Sequence, residues 1–235
     1  MHSLILPQTQ NLWYYRKMNI DVVWPNVLFL ILGWLLALLS PGITDYFHKK
    51  REIKSLRVAI LTELREMQLK LLMMVFRIRS KYSILDREFF DWAKSILEKY
   101  DGINSGESLL RTMEPLLKID KKELSELLQY YAQQNSRPES GLSLKKFSLA
   151  FLEANIAALA MFDKDLLGYL LEIKMRIGFM NEMVDESRYY FQLSFQSGIT
   201  HENYINANVN MVGTYKSYAD QAHDVADIIH KLRNL

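Results

Sequence analysis

The chain has 235 residues, a formal charge of +2 at neutral pH and no cysteine, and 49% of its residues are hydrophobic. The lack of cysteine excludes disulfides, thiol catalysis and cysteine zinc sites, and the near-zero charge argues against a dedicated nucleic-acid binder. Only nine glycines and five prolines interrupt the chain, and no alternating strand pattern stands out, so the sequence predicts an all-α fold.

Residues 1–20 are predicted to form a short extracytoplasmic tail. Three aromatic residues, Trp13, Tyr14 and Tyr15, precede Arg16 and Lys17 there. This composition fits an amphipathic piece at a membrane interface, and it equally fits a tail without regular structure.

The next segment, residues 21–43, is predicted to be a transmembrane helix. Its centre, VLFLILGWLLALL, occupies positions 27–39, and no ionisable side chain lies between Asp21 and Asp45. A helix of about 20 residues crosses the hydrocarbon core of a bilayer. A cleaved export signal and a buried core helix are the alternatives.

Aromatic residues flank this segment and favour the membrane over both alternatives. Trp24 lies at one end, and Tyr46 with Phe47 lies at the other, where amphipathic rings prefer the interface. The Pro41-Gly42 pair predicts a break or kink in the helix at the cytoplasmic face.

Small residues form a groove along one side of the predicted span. Gly33 and Ala37 are four residues apart, and Ser40 follows one turn later. Such a groove lets two membrane helices approach closely, so it predicts packing between spans. Lipid-facing small residues placed by chance are the alternative.

A basic cluster follows the span and predicts its orientation. The cluster consists of Lys49, Lys50, Arg51, Lys54 and Arg57. By the positive-inside bias, the C-terminal side is cytoplasmic and the N-terminus lies outside the inner membrane. The cluster also predicts contact with anionic membrane lipid, with nucleic acid as the less favoured partner.

Residues 44–134 are predicted to contain a long juxtamembrane helix followed by short helices. The long helix runs to about Lys81, with apolar residues three and four positions apart, as in a bundle or coiled coil. Asp86 predicts a helix start, and Asp120 with Glu123 forms a second start signal. The apolar positions are Ile53, Leu56, Ile60, Leu64, Met67, Leu71, Met74 and Ile78, widened by Leu72, Met73, Val75 and Phe76.

Residues 142–235 are predicted to form a C-terminal helical bundle after the polar segment 133–141. Residues 142–162 are strongly apolar and predict a buried helix, and Asp163 and Thr200 predict the starts of two long antiparallel helices joined by a short turn at Ser197 and Gly198. The predicted core positions of these two helices are Leu166, Leu170, Ile173, Ile177, Met180, Val184, Phe191, Ile205, Val209, Val212, Ala219, Ala222, Ala226, Ile229 and Leu232.

Motifs of the common nucleotide-binding, hydrolytic and calcium-binding classes are absent from the sequence. The sequence therefore predicts neither a cofactor nor a catalytic residue. His223, Asp227 and His230 share one helix face and form a weak candidate metal site, for which a solvated polar face is the alternative. Tyr189 and Tyr190 mark a candidate partner surface, or part of the core.

The span VLFLILGWLLALL, the basic junction HKKREIKSLR and the two long C-terminal helices together resemble the single-span helical membrane proteins that bacterial anti-phage cassettes carry as effectors. The resemblance implies a protein that a partner holds silent and that damages the inner membrane when released. No residue motif is shared, so the resemblance transfers no functional residue.

Three functions follow as hypotheses. The first is a membrane-anchored effector that oligomerises, perturbs the bilayer and is restrained by a cytoplasmic protein. The second is a passive membrane-tethered scaffold that recruits a cytoplasmic partner. The third is a metal-dependent enzyme that uses the last helix.

Overall fold

The computed structural model describes residues 10–102, 106–135 and 141–233, and these residues form helices and no strand. The predicted all-α class is therefore confirmed for the described part of the chain. The helices are α1 (Gln10–Lys81), α2 (Arg87–Leu97), α3 (Glu107–Lys118), α4 (Lys121–Asn135), α5 (Ala150–Ala154), a 3-10 helix (Ile156–Met161), α6 (Lys164–Ser194) and α7 (His201–Leu232).

Helix α1 is one continuous helix of 72 residues that contains both Pro25 and Pro41. The predicted break at Pro41-Gly42 is wrong, because α1 continues through both residues. The alternative of a kink there stays a prediction. The backbone is also helical from Gln10 onwards, so part of the predicted N-terminal tail belongs to α1. Residues 1–9 of that tail lie outside the described residues.

The chain divides into two compact units, residues 1–55 and residues 56–235. The first unit contains the N-terminal part of α1. The second contains the rest of α1 and all the other helices, packed around one hydrophobic core. The polar segment 133–141, of which residues 136–140 lie outside the described residues, belongs to the second unit, so both sides of it share one core.

The C-terminal part of α1 forms the centre of this core. The predicted stripe from Leu56 to Ile78 is buried at intervals of three and four residues, and Leu72 and Val75 widen it as expected. Met73 differs from the prediction because its side chain remains exposed. Gln68 is the buried polar residue of this stripe, and its Nε2 donates to the carbonyl of Ala226 on α7 at 2.9 Å.

Side-chain caps begin the helices where the sequence predicted them. A carboxylate or hydroxyl oxygen accepts a hydrogen bond from a free amide of the first turn in each case. These caps are Asp86 on α2, Asp120 on α4, Asp163 on α6 and Thr200 on α7. Helix α3, which contains Pro115, was not predicted.

Helices α6 and α7 pack side by side, as predicted from the short turn between them. Gly198 in that turn has a φ of +82°, which favours glycine. Burial on α6 follows the prediction from Leu166 to Val184, but Phe191 is exposed.

The N-terminal half of α7 turns a different face to the core than the one predicted. Ile205 is exposed and Val209 is 63% exposed. The buried residues of this half are Ala207, Met211, Thr214, Tyr215 and Tyr218. The two tyrosines determine this register, because their rings are buried and their hydroxyls reach the segment before α5.

Residues 141–149 cross α6 and α7 without forming a helix, and we call them the strap. The predicted buried helix over residues 142–162 is wrong, since only α5 and the 3-10 helix form there. Side chains of α6 and α7 satisfy the strap's backbone. The Asn181 amide bonds both the N–H and the carbonyl of Phe147, Tyr215 bonds the N–H and the carbonyl of Leu142, and Tyr218 donates to the carbonyl of Lys145.

Helix α5 is capped by a residue distant in sequence. The carboxylate of Glu63 on α1 accepts hydrogen bonds from the amides of Phe151 and Leu152, at 2.9 and 3.0 Å. Because first-turn amides of a helix lack backbone partners, a carboxylate there stabilises even this five-residue helix.

Candidate functional site

The N-terminal part of α1 exposes a continuous apolar surface. Every residue from Trp24 to Ile43 is exposed, and Leu30 is 75% exposed. A soluble protein rarely leaves so large an apolar patch uncovered, and patches of this kind mark contact with membrane or with another protein.

Among the described residues, this helix is the one that is long and apolar enough to cross a membrane. Its most apolar 18-residue window has a mean hydropathy of 2.2, and none of that window is buried. The lack of burial argues against the alternative of a soluble core helix. A signal sequence near the N-terminus meets the same criterion of length and composition.

The predicted interface anchors lie at the two ends of this surface. Trp24 is 64% exposed, and the rings of Tyr46 and Phe47 pack edge to face with centroids 5.8 Å apart. Trp24 and Tyr46 are 22 residues apart (46 − 24), which is about 33 Å along a helix. That separation matches a hydrocarbon core of about 30 Å.

The small residues Gly33, Ala37 and Ser40 share one side of α1 and are all exposed. A Cβ added at Gly33 would meet no atom within 4 Å. No described residue therefore covers this side of the helix at Gly33, and packing between spans stays a prediction.

The basic cluster of residues 49–57 is solvent-exposed at every lysine and arginine. None of its five cations lies within ion-pair distance of a carboxylate among the residues that the structure describes. Its charge is therefore available to an anionic partner such as a lipid headgroup.

Of the two residues predicted as a candidate partner surface, Tyr189 is exposed and Tyr190 is partly buried. Tyr189 is 60% exposed, whereas Tyr190 packs against the core, and their ring centroids are 5.5 Å apart. Phe191 and Phe195 extend the exposed aromatic surface towards the end of α6.

The candidate metal residues lie against helix α2. The Asp227 Oδ1 atom accepts a hydrogen bond from the indole of Trp92 at 2.6 Å, and the His223 ring lies 4.2 Å from the Trp92 ring. Asp227 Oδ2 is 4.0 Å from His223 Nδ1. Burial lowers the pKa of His230. In the described parts of the chain, no group of three His, Cys, Asp or Glu residues is arranged to hold a metal ion.

A basic cavity that was not predicted from the sequence lies between α1 and the strap. It has a volume of about 930 Å³. Its cationic lining residues are Lys70, Arg77, Lys81, Lys145 and Lys146. The seven-residue spacing of Lys70 and Arg77 on a helix and the adjacent pair Lys145 and Lys146 were the available signals. The sequence alone does not show that these two groups of cations line one cavity, because that requires knowing that the strap lies beside α1.

Comparison of the chain with protein-family models, with curated proteins and with solved structures found no match.

Proposed function

We propose that this protein is a bacterial inner-membrane effector, anchored by a transmembrane helix at residues 21–43, that oligomerises and perturbs the bilayer. The observation that carries the proposal is the uncovered apolar surface of α1, which ends in Trp24 on one side and in Tyr46 and Phe47 on the other. A bilayer is the environment in which such a surface is stable.

Orientation follows from the exposed cations after the span. The cluster from Lys49 to Arg57 supports a cytoplasmic second unit and an N-terminus outside, because short loops rich in lysine and arginine tend to stay inside. Contact of the same cations with anionic lipid contributes about 1 kcal/mol per charge near the surface.

Assembly through the span gives the protein its action. A single helix encloses no pore, so bilayer damage requires several spans, and the open groove at Gly33, Ala37 and Ser40 is the surface on which they pack. The resemblance to anti-phage effectors adds a cytoplasmic protein partner that restrains assembly until release.

The orientation is tested by cysteine labelling, which the cysteine-free chain allows without background. Ser3→Cys is expected to react with a membrane-impermeant maleimide in intact cells. Ser197→Cys, in the exposed turn before α7, is expected to react only after lysis. The reverse pattern, or recovery of the chain in the supernatant after carbonate washing, would refute the membrane topology.

The action is tested by expressing four forms of the chain and measuring membrane potential. The full chain is expected to depolarise the cells, and a chain without residues 24–43 is expected to be silent. Gly33→Leu fills the groove and should reduce both depolarisation and cross-linking between copies. Leu35→Phe, which enlarges a residue on the opposite side of the helix, is the matched control and should change neither.

A passive membrane tether is the second candidate. The span carries no ionisable side chain between Asp21 and Asp45, so it is chemically sufficient for an anchor. If the full chain stays in the membrane as a monomer and leaves the membrane potential unchanged, the tether replaces the effector.

A further inference from the structure

The described residues that line the basic cavity between α1 and the strap carry an excess of positive charge. Five of its lining residues are cationic, and none of the described residues that line it is acidic. Lys146 is neutralised by Asp185. No ion pair joins Lys70, Arg77 or Lys145 to a carboxylate in the described ranges.

Two independent features support a positive potential inside this cavity. Burial and the neighbouring charge of Arg77 lower the pKa of Lys81 from its ordinary value. The cations also come from two separate elements, α1 and the strap, so they approach one volume from two sides. Although Lys70, Arg77 and Lys145 are exposed, charges that approach one volume from two elements together attract an anion.

The remaining lining is largely apolar. It consists of Met73, Met74, Phe76, Leu142 and Phe147, together with the hydroxyl-bearing Ser80. Met73 remains exposed although it lies between two buried turns of the core stripe. Methionine and phenylalanine side chains accept a flexible apolar chain, and methionine adapts to its shape.

The size and chemistry of the cavity define its ligand. A volume of about 930 Å³ lies within the range of small-molecule sites, roughly 300–1,000 Å³. The described lining has no amide or carboxylate side chain that would recognise the edge of a nucleotide base. Its cations suit a phosphate or carboxylate head, and its apolar residues suit an acyl chain.

We propose that the basic cavity binds one single-chain anionic amphiphile, with its phosphate or carboxylate head at Arg77 and Lys145 and its acyl chain against Met73 and Phe147. This site is separate from the span, and its existence does not depend on whether the protein perturbs a membrane.

The test uses the detergent-solubilised full chain, titrated with dodecyl phosphate and measured by native mass spectrometry. The expected result is one dodecyl phosphate per chain. Arg77→Glu and Lys145→Glu should each weaken binding by about tenfold or more, the effect of losing a charged hydrogen bond. The matched control is Lys216→Glu, because Lys216 is exposed on α7 and outside the cavity, and it should leave binding unchanged.

Further ligands and variants separate the two halves of the site. Laurate in place of dodecyl phosphate distinguishes a carboxylate head from a phosphate head, and binding of either supports the proposal. Met73→Trp fills the apolar half at an exposed position, so it should weaken binding without a change in charge. If Arg77→Glu alters the helical circular dichroism signal, Arg77→Gln replaces it.

Three results would overturn the proposal. The first is equal affinity in Arg77→Glu, Lys145→Glu and Lys216→Glu. The second is binding of neutral dodecanol as tight as that of dodecyl phosphate. The third is binding of ATP or inorganic phosphate as tight as that of the amphiphile, which would show that the apolar half takes no part.

Discussion

The Trp92 indole on α2 donates a hydrogen bond to Asp227 Oδ1 on α7 over 2.6 Å, although the two residues are 135 positions apart. The His223 ring covers the same indole at a centroid distance of 4.2 Å. This hydrogen bond joins α2 to α7. It also engages the carboxylate of Asp227, which was predicted from the sequence as a weak candidate metal ligand.

The first prediction concerns this hydrogen bond. Trp92→Phe and Asp227→Ala are each expected to lower the free energy of unfolding by about 1–2 kcal/mol, because the bond joins a neutral donor to a charged acceptor. The double variant should lose less than the sum of the two, since both single changes remove the same bond. Urea unfolding of the solubilised full chain measures these values.

A control for that cycle lies on the same helix. Asp220 is exposed and pairs with no described cation, so Asp220→Ala should change stability by less than about 0.5 kcal/mol. Strict additivity of Trp92→Phe and Asp227→Ala would show that the two side chains act independently.

The second prediction concerns the strap. Asn181 on α6 accepts from the N–H of Phe147 at 2.9 Å and donates to its carbonyl at 2.7 Å. Asn181→Ala leaves both backbone groups without this partner and is expected to cost about 1–3 kcal/mol. Because Lys145 and Lys146 lie in the strap, limited trypsin digestion after them should also accelerate.

The matched control for the strap is Glu182→Ala. Glu182 is the next residue along α6, is exposed and forms no hydrogen bond or ion pair with a described residue. Its removal should leave the trypsin cleavage rate unchanged. A rate that increases equally in both variants would contradict the assigned role of Asn181.

The third prediction concerns the end of α1. Ser83 has a φ of 58°, and the Ile84 amide donates to the Arg79 carbonyl at 2.9 Å, the pattern of a left-handed helix cap. Glycine adopts this backbone without steric cost, so Ser83→Gly should stabilise the protein by about 1 kcal/mol. For a unit of this size, the corresponding rise in Tm is about 2–4 °C.

Ser83→Ala is the control for that change. Alanine retains the Cβ that disfavours the left-handed region, so its Tm should not exceed that of the original chain. A Tm for Ser83→Gly at or below that of Ser83→Ala would contradict the assignment of strain to this residue.

The fourth prediction concerns acid sensitivity. Burial, with Lys99 and Arg233 nearby, lowers the pKa of His230 below its ordinary value of 6.5. Above that value the side chain is neutral in both the folded and the unfolded chain. As the pH falls through 6.5, His230 takes up a proton in the unfolded chain before it does so in the folded chain. The free energy of unfolding therefore decreases until the pH passes below the pKa of His230 in the folded chain.

His230→Gln removes this titrating group. The free energy of unfolding should therefore depend less on pH between neutrality and about pH 5. The measurement compares urea unfolding of both chains at pH 8, 6 and 5. Parallel profiles for His230→Gln and the original chain would refute the prediction.

Local chemistry explains which parts of the fold could be predicted. Asp86, Asp120, Asp163 and Thr200 begin helices because a short side chain binds an amide three residues along the same chain. The buried stripe of α1 is equally local, because its period follows from helix geometry. Both features can be read from a short window of sequence.

Contacts distant in sequence explain the parts that could not be predicted. Residues 142–149 have a helix-like composition but form no helix, and side chains of Asn181, Tyr215 and Tyr218 bond their backbone instead. The same tyrosines turn Ile205 and Val209 outwards. The basic cavity at Arg77 and Lys145 is formed by α1 together with the strap. These two segments are far apart in the chain, so no short stretch of sequence could predict the cavity.

The hydrogen bond from Gln68 to Ala226 has a consequence for synthesis on the ribosome. The two residues are 158 positions apart, a delay of roughly 8–30 s at ordinary elongation rates. During that interval the apolar stripe from Leu64 to Ile78 has left the ribosome, but α7 has not yet been synthesised and cannot pack against it. Contacts with the helices made earlier, α2 to α6, are the ones within the chain that can shield this stripe during the interval.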